Sequence, residues 1–230
     1  VGGLGDDFLS GGSQSGDILQ GGGDADILVG GAGGDTLEGG SGNDFLYGDT
    51  ADAAAAAAAP ETATDELRGG AGNDTYVFLG NWGSDNVVET ADGDKDTLEF
   101  SNITGPLDID VGQSGAMGVR VQDPDTPANI VDAVNVERIN LGTGEHSIVI
   151  HDAFALDGSN ELLIANALVT TETVTADATA ILNLSNVQSA VDITISEYTY
   201  STFVGDTKVT NDTGNKVTVQ FASGAELTVF

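Results

Sequence analysis

The sequence predicts an all-β chain, and three observations carry that reading. Nine aspartates in the first hundred residues are each followed, two positions later, by an apolar residue. Glycine pairs precede most of the early ones, and the first five aspartates are spaced by ten and then nine residues. Beyond residue 100, stretches such as Ser147-Ile148-Val149-Ile150, Asp192-Ile193-Thr194-Ile195 and Lys216-Val217-Thr218-Val219-Gln220-Phe221 alternate with the period of strands, and no long helical period appears.

The aspartate pairs are Asp7/Leu9, Asp17/Leu19, Asp26/Leu28, Asp35/Leu37, Asp44/Leu46, Asp65/Leu67, Asp74/Tyr76, Asp85/Val87 and Asp96/Leu98. Each repeat divides into a six-residue turn and a three-residue strand. Residues 2–47 hold five successive copies, the second with one extra residue. Gly48 opens a sixth, which is interrupted before it resumes at Asp65-Glu66-Leu67-Arg68. The interruption contains the alanine run Ala53 to Ala59 and reads as a low-complexity surface excursion, although Asp52 and Pro60 are placed to start and stop a short helix. Gly69-Gly70-Ala71-Gly72-Asn73-Asp74-Thr75-Tyr76-Val77 is the cleanest copy, and Gly80 to Val88 follows after a two-residue extension. Ala91 to Glu99 keeps Asp96 and Leu98 but has lost most glycines. The chain therefore divides into a repeat domain over 1–100, with an insertion at 49–63, and a β-rich region over 101–230. The solenoid is expected to continue to about residue 164; residues 165–230 either extend it or form a separate small sandwich.

The 230 residues carry 37 acids against six bases, a formal charge of −31. Such a polyanion repels itself, so compact folding needs salt or bound cations, and nucleic acid and anionic membranes are poor partners. Cysteine is absent, which removes disulfides and thiolate metal sites. No apolar run reaches the roughly 18–20 residues of a membrane span. The chain enters in the middle of a repeat at Val1-Gly2-Gly3, without a signal peptide, so a processed form or a segment of a longer polypeptide is expected.

Glycines let each turn adopt positive φ and bring backbone carbonyls toward a common point. Candidate carbonyl donors are Gly3, Gly5, Gly22, Gly31, Gly33, Gly40, Gly42, Gly70 and Gly72. The aspartate that ends the turn aims a carboxylate at the same point. Carbonyl and carboxylate oxygens together suit Ca²⁺ better than Mg²⁺, which demands stricter geometry and keeps its waters. The apolar residue two positions on points to the opposite side from its strand neighbours and supplies a thin core. Without metal, stacked carboxylates would repel and the glycine turns would cost backbone entropy, so binding free energy becomes folding free energy.

Residues 2–99 resemble the RTX (repeats-in-toxin) calcium-binding repeat, G-G-x-G-x-D-x-U-x. The resemblance implies a parallel β-roll in which each calcium is shared between turns stacked on the same side. One column would hold Asp7, Asp26, Asp44, Asp74 and Asp96, and the other Asp17, Asp35, Asp65 and Asp85. The pairs Asp35/Asp65 and Asp65/Asp85 flank the interruption and are expected to be distorted, and the turn before Asp96 lacks its glycines. About four or five well-formed calcium sites are therefore expected.

Outward strand positions on the odd repeats are Phe8, Ile27, Val29, Phe45, Tyr47 and Val77, whereas the even repeats carry Gln20, Glu38, Glu66 and Arg68. One face of the roll is thus expected to be apolar and to form a contact, either with the C-terminal half or with another molecule. Leu141 to Ile148 has the turn spacing of the repeat with His146 in the aspartate place, which reads as a decayed turn. A transition-metal site of His146 and His151 is disfavoured by their spacing. The last residues, Glu226 to Phe230, read equally as a final strand or as the end of a type I secretion substrate.

No nucleophile elbow, zincin helix or phosphate-cradling loop occurs, and Trp82 is the single tryptophan available to a saccharide groove. A non-enzymatic role is expected. The resemblance points to a secreted, extracellular protein with a structural or assembly role of surface-layer, matrix or adhesin type. The alternative is the C-terminal folding and secretion module of a larger secreted enzyme or toxin.

Overall fold

The computed structural model describes residues 1–13, 16–51, 63–111, 118–143, 145–151, 161–166, 179–186, 191–204, 207–221 and 226–229. Among these there are strands and turns but no helix, and so none long and apolar enough to cross a membrane. The alanine run falls outside the described residues.

Strands alternate between two sheets because each six-residue turn sends the chain from one to the other. The first sheet takes β1 (Gly3–Leu4), β3 (Ile18–Gly23), β5 (Thr36–Ser41), β7 (Glu66–Ala71) and β9 (Ser84–Val88), in that order. The second takes β2 (Phe8–Gly12), β4 (Ile27–Gly31), β6 (Phe45–Tyr47), β8 (Thr75–Val77) and β10 (Thr97–Phe100). All neighbours within these two sets are parallel, the arrangement of a β-roll.

Register is fixed by the apolar position of the repeat. Leu19, Leu37, Leu67 and Val87 stack across the first sheet, and Leu9, Leu28, Leu46, Tyr76 and Leu98 across the second. All but Leu9, at the open end, are buried, and they form one continuous core between the sheets. A one-residue slip would turn every one of them outward, so the pattern admits a single register. The two-residue extension Phe78-Leu79 thickens this core. Phe78 stacks on Phe100 with centroids 4.8 Å apart, and Trp82 packs edge-on against Phe100 at 5.6 Å. Trp82 is thus a core residue and lines no groove.

Both sheets continue past residue 100. The second adds β14 (Arg138–Leu141) and β16 (Glu161–Asn166) in parallel register, placing Ile139 and Ile164 in the stripe of Leu98. The first receives a meander, β11 (Asp108–Val111), β12 (Gly118–Gln122) and β13 (Ile130–Val134), whose internal pairings are antiparallel. Its outer strands are parallel to β9 on one side and to β15 (Glu145–His151) on the other. Arg120 and Asp132 join β12 and β13 through two hydrogen bonds of 2.7 Å. Farther out, β17 (Thr179–Asn186) pairs β15. In the second sheet, β20 (Glu226–Val229) pairs β16, and the long hairpin β18 (Val191–Val204) and β19 (Thr207–Phe221) follows it. The described strands of the last third are hydrogen-bonded into these two sheets.

The outward face is less uniform than alternation predicts. Phe8, Ile27 and Phe45 stand in register and are 69%, 40% and 44% exposed. Val29, expected on this face, is only 7% exposed and stands in register with Ser10 and Tyr47. Tyr47 and Val77 are half-buried.

Candidate metal centre

Each turn presents its aspartate to the turn below. The Asp26 carboxylate accepts the Asp7 N–H through Oδ1 at 2.8 Å. Asp44 does the same for Asp26 at 2.8 Å, Asp74 for Asp44 at 2.7 Å and Asp96 for Asp74 at 2.9 Å. On the other side Asp35 accepts from Asp17 at 2.6 Å, Asp65 from Asp35 at 2.7 Å and Asp85 from Asp65 at 3.1 Å. Asp is short enough for one carboxylate oxygen to span a single strand spacing while the other stays within its own turn. All nine sequence-derived aspartates stand in these two columns. Seven are buried, and Asp7 and Asp17 are half-buried at the open end.

The second oxygen defines the site. Asp7, Asp26, Asp44 and Asp74 each bury Oδ2 with no hydrogen-bond partner. Around Asp44, a Cβ placed on Gly39 would overlap Oδ2 and lie 2.7 Å from the Gly69 carbonyl oxygen. The same holds at Gly2, where a Cβ would overlap Asp7 Oδ2 and lie 2.6 Å from the Gly21 carbonyl oxygen, and at Gly21, with Asp26 Oδ2 and the Gly39 oxygen at 2.6 Å. The first glycine of each pair is therefore required by space. Its missing side chain leaves a slot lined by a carboxylate and a carbonyl of the next same-side turn.

The second and fourth positions are glycine for a different reason. Gly3, Gly5, Gly22, Gly31, Gly33, Gly40, Gly42, Gly70 and Gly72 all adopt positive φ, for example 119° at Gly40 and 133° at Gly42. Asp24 occupies the fourth position of its turn at φ 73°. The carbonyls found against the carboxylate slots belong instead to Gly21, Gly30, Gly39, Gly48 and Gly69, which were not among the nine.

Buried oxygens without donors fit a hard cation in oxygen ligation. The electrostatics agree. Burial pushes the Asp44 carboxyl up, opposed by the Asp26 N–H, and the neighbouring Asp26 charge adds to the rise. Burial carries Asp74 to about 7, with the charges of Asp96, Asp44 and Asp92 adding to it. A divalent ion would relieve that cost by supplying the positive charge that favours the ionised form.

On either side of the interruption, Gly48 and Asp65 keep the glycine–carboxylate overlap of the other turns, and the Asp35–Asp65 bond matches its neighbours. The expected distortion at Asp35/Asp65 is absent. A further acid, Glu137, extends the first column by accepting the Asp96 N–H at 2.9 Å. Its signal was present, since Glu137-Arg138-Ile139 has the acid-to-apolar spacing with Glu in place of Asp. Glu89 stands two residues after Val87, where other turns place their first glycine. Its carboxylate accepts the Gly69 N–H at 2.7 Å and lies with Asp74 and Asp96 in one buried cluster.

His146 takes the aspartate position without its charge. Nδ1 accepts the Leu107 N–H at 3.2 Å, Nε2 donates to the Gly142 carbonyl at 3.2 Å, and burial lowers its pKa. Both ring nitrogens are thus engaged by backbone groups. The His151 side chain lies outside the described residues.

A stack of parallel coils with one glycine slot and one inward carboxylate per turn defines a cation-binding β-roll. The family model of the RTX calcium-binding nonapeptide repeat matches four copies here, over residues 1–18, 20–52 and 62–87. The match lies on the coils that carry the glycine slots and column aspartates, so the resemblance to the RTX repeat belongs to this array. No curated protein matches the chain. Among solved structures, the solution structure of the AlgE6R3 subunit from the Azotobacter vinelandii mannuronan C5-epimerase is similar at 22% identity. The match covers 75% of this chain and 89% of that one, with a TM-score of 0.40.

Proposed function

We propose that this protein is a secreted RTX β-roll that completes its folding on calcium outside the cell and serves a structural or assembly role at a surface or in a matrix. The observation that carries the calcium part is the buried, donor-free Oδ2 of Asp7, Asp26, Asp44 and Asp74, each set beside a glycine slot. The ligands would be the nine column aspartates with turn carbonyls, and Ca²⁺ would supply charge neutralisation and a cross-link between coils. RTX repeats are generally non-catalytic, and the proposal assigns this chain no reaction.

The assembly part draws on the exposed row Phe8, Ile27 and Phe45, which crosses the strands of the second sheet along the coil axis. Three large apolar side chains in register on a surface otherwise rich in acids favour a contact there. Electron microscopy and light scattering with and without calcium test it, alongside Phe45→Asp. Ordered assemblies that form with calcium and are lost in Phe45→Asp support the role. Calcium-dependent monomers in both proteins would instead leave a folding module.

A further inference from the structure

The last turn of the first column departs from the repeat in a way that changes its chemistry. In the regular turns the first glycine gives the slot its room and a backbone carbonyl. At the turn ending in Asp96 that glycine is Glu89, and its carbonyl is engaged elsewhere, accepting Asn135 Nδ2 at 2.7 Å. The side chain enters the slot instead. Glu89 Oε1 accepts the Gly69 N–H at 2.7 Å, and the carboxylate lies against the Gly70 N–H at 3.3 and 3.4 Å. One ligand oxygen from each of Asp74, Glu89 and Asp96 falls within 4.8 Å of the others, and all three residues are buried.

A cap on three backbone N–H groups, those of Gly69, Gly70 and Thr90, would account for Glu89 alone. It does not account for Asp74, whose Oδ2 is fully buried, has no hydrogen-bond partner and faces the Gly69 slot that Glu89 also enters. We propose that Asp74, Glu89 and Asp96 form a terminal cation site in which the Glu89 carboxylate replaces the lost glycine carbonyl. This rests on the calcium reading above and deepens it. Glu89 adds a third carboxylate to the column pair Asp74 and Asp96, a count that Asp49, Asp65 and Asp85 also reach in the other column. The added charge strengthens Ca²⁺ binding at this site and favours trivalent ions further, since charge count tunes affinity in oxygen sites. Asn135, the residue after β13, holds the Glu89 backbone, so the site lies where the repeat array meets the meander.

Tyr76 provides the readout, because its hydroxyl accepts the Gly69 N–H at 2.5 Å and places a sensitiser beside the site. Full-length wild type and Glu89→Gln are titrated with Tb³⁺ under tyrosine excitation, and bound Ca²⁺ is counted by native mass spectrometry. The Gln variant keeps an acceptor for Gly69 and Gly70 but removes the charge. The expected result is that the tyrosine-sensitised Tb³⁺ step is weakened about tenfold or more, with the other steps retained. An unchanged sensitised step in folded Glu89→Gln overturns the proposal and leaves Glu89 as a cap. If that variant does not fold in calcium, Glu89→Gly, which restores the residue of the repeat, is read by the same criterion. Wild type that binds no ion at any step would overturn the calcium reading itself, an outcome distinct from an unchanged variant.

Discussion

Gly48 and Asp65 are separated by an insertion, yet they meet as Gly39 and Asp44 do: a Cβ on Gly48 would overlap Asp65 Oδ2. The turn is defined by the overlap of glycine and carboxylate, not by the length of chain between them. Replacing residues 49–64 with the four residues that join Gly39 to Asp44 should therefore preserve calcium-dependent folding. Circular dichroism in saturating calcium checks this, and loss of the folded spectrum would show that the insertion is structural.

Gly39 is constrained by space and Gly105 is not. A Cβ at Gly39 collides with Asp44 Oδ2, whereas one at Gly105 meets nothing within 4 Å. Gly39→Ala should destabilise the calcium-loaded protein by about 1–3 kcal/mol, as overpacking does. Gly105→Ala should stay within about 0.5 kcal/mol. Denaturant melts of the two variants in calcium decide the point, and equal effects would refute the slot.

Asp44 holds two tasks on two oxygens. Oδ1 accepts the Asp26 N–H, and Oδ2 faces the slot. Asp44→Asn should keep the first and lose the second, weakening calcium binding. Asp44→Ala should lose both and be less stable than the Asn variant by about 1–3 kcal/mol, the cost of a buried unpaired donor. Stability of the pair is compared at saturating calcium; identical values would mean that the hydrogen bond contributes nothing.

The metal-free chain should respond to pH through Asp74 and Glu89. Burial raises the first to about 7 and the second to about 8, and nearby carboxylates add to both. The unfolded values lie near about 4. Folding thus takes up protons, and the stability this contributes is complete below about pH 4 and lost as pH rises through 7 to 8. Chelated protein, unfolded at neutral pH, should recover more β-rich circular dichroism at about pH 5.5 than at about pH 8.5, and Glu89→Gln should reduce the difference. His146, held neutral by burial, acts in the opposite sense below about pH 6.5. Greater stability of the chelated wild type at the higher pH would contradict the assignment.

Much of this architecture is legible in the residues because one spacing encodes two things. The aspartate sets the column, and the residue two later sets the stripe, so Leu37, Leu67 and Val87 could be placed in the core from the sequence. Glu137 escaped a search for aspartate, although Glu137 and Ile139 keep the spacing. Glu89 escaped because the position it fills is one where the repeat has no side chain. The meander β11–β13 was hidden for another reason: residues 108–134 alternate like any strands, and nothing local says that they pair with one another before rejoining β9. Trp82 lay inside because Phe78 and Leu79 enlarge the core at that coil.

The most direct test is the far-ultraviolet circular dichroism of the full chain in calcium and after chelation with EDTA, at neutral pH. The account predicts a β-rich spectrum in calcium, its loss on chelation and its return when calcium is added back. A β-rich spectrum indifferent to EDTA would contradict it.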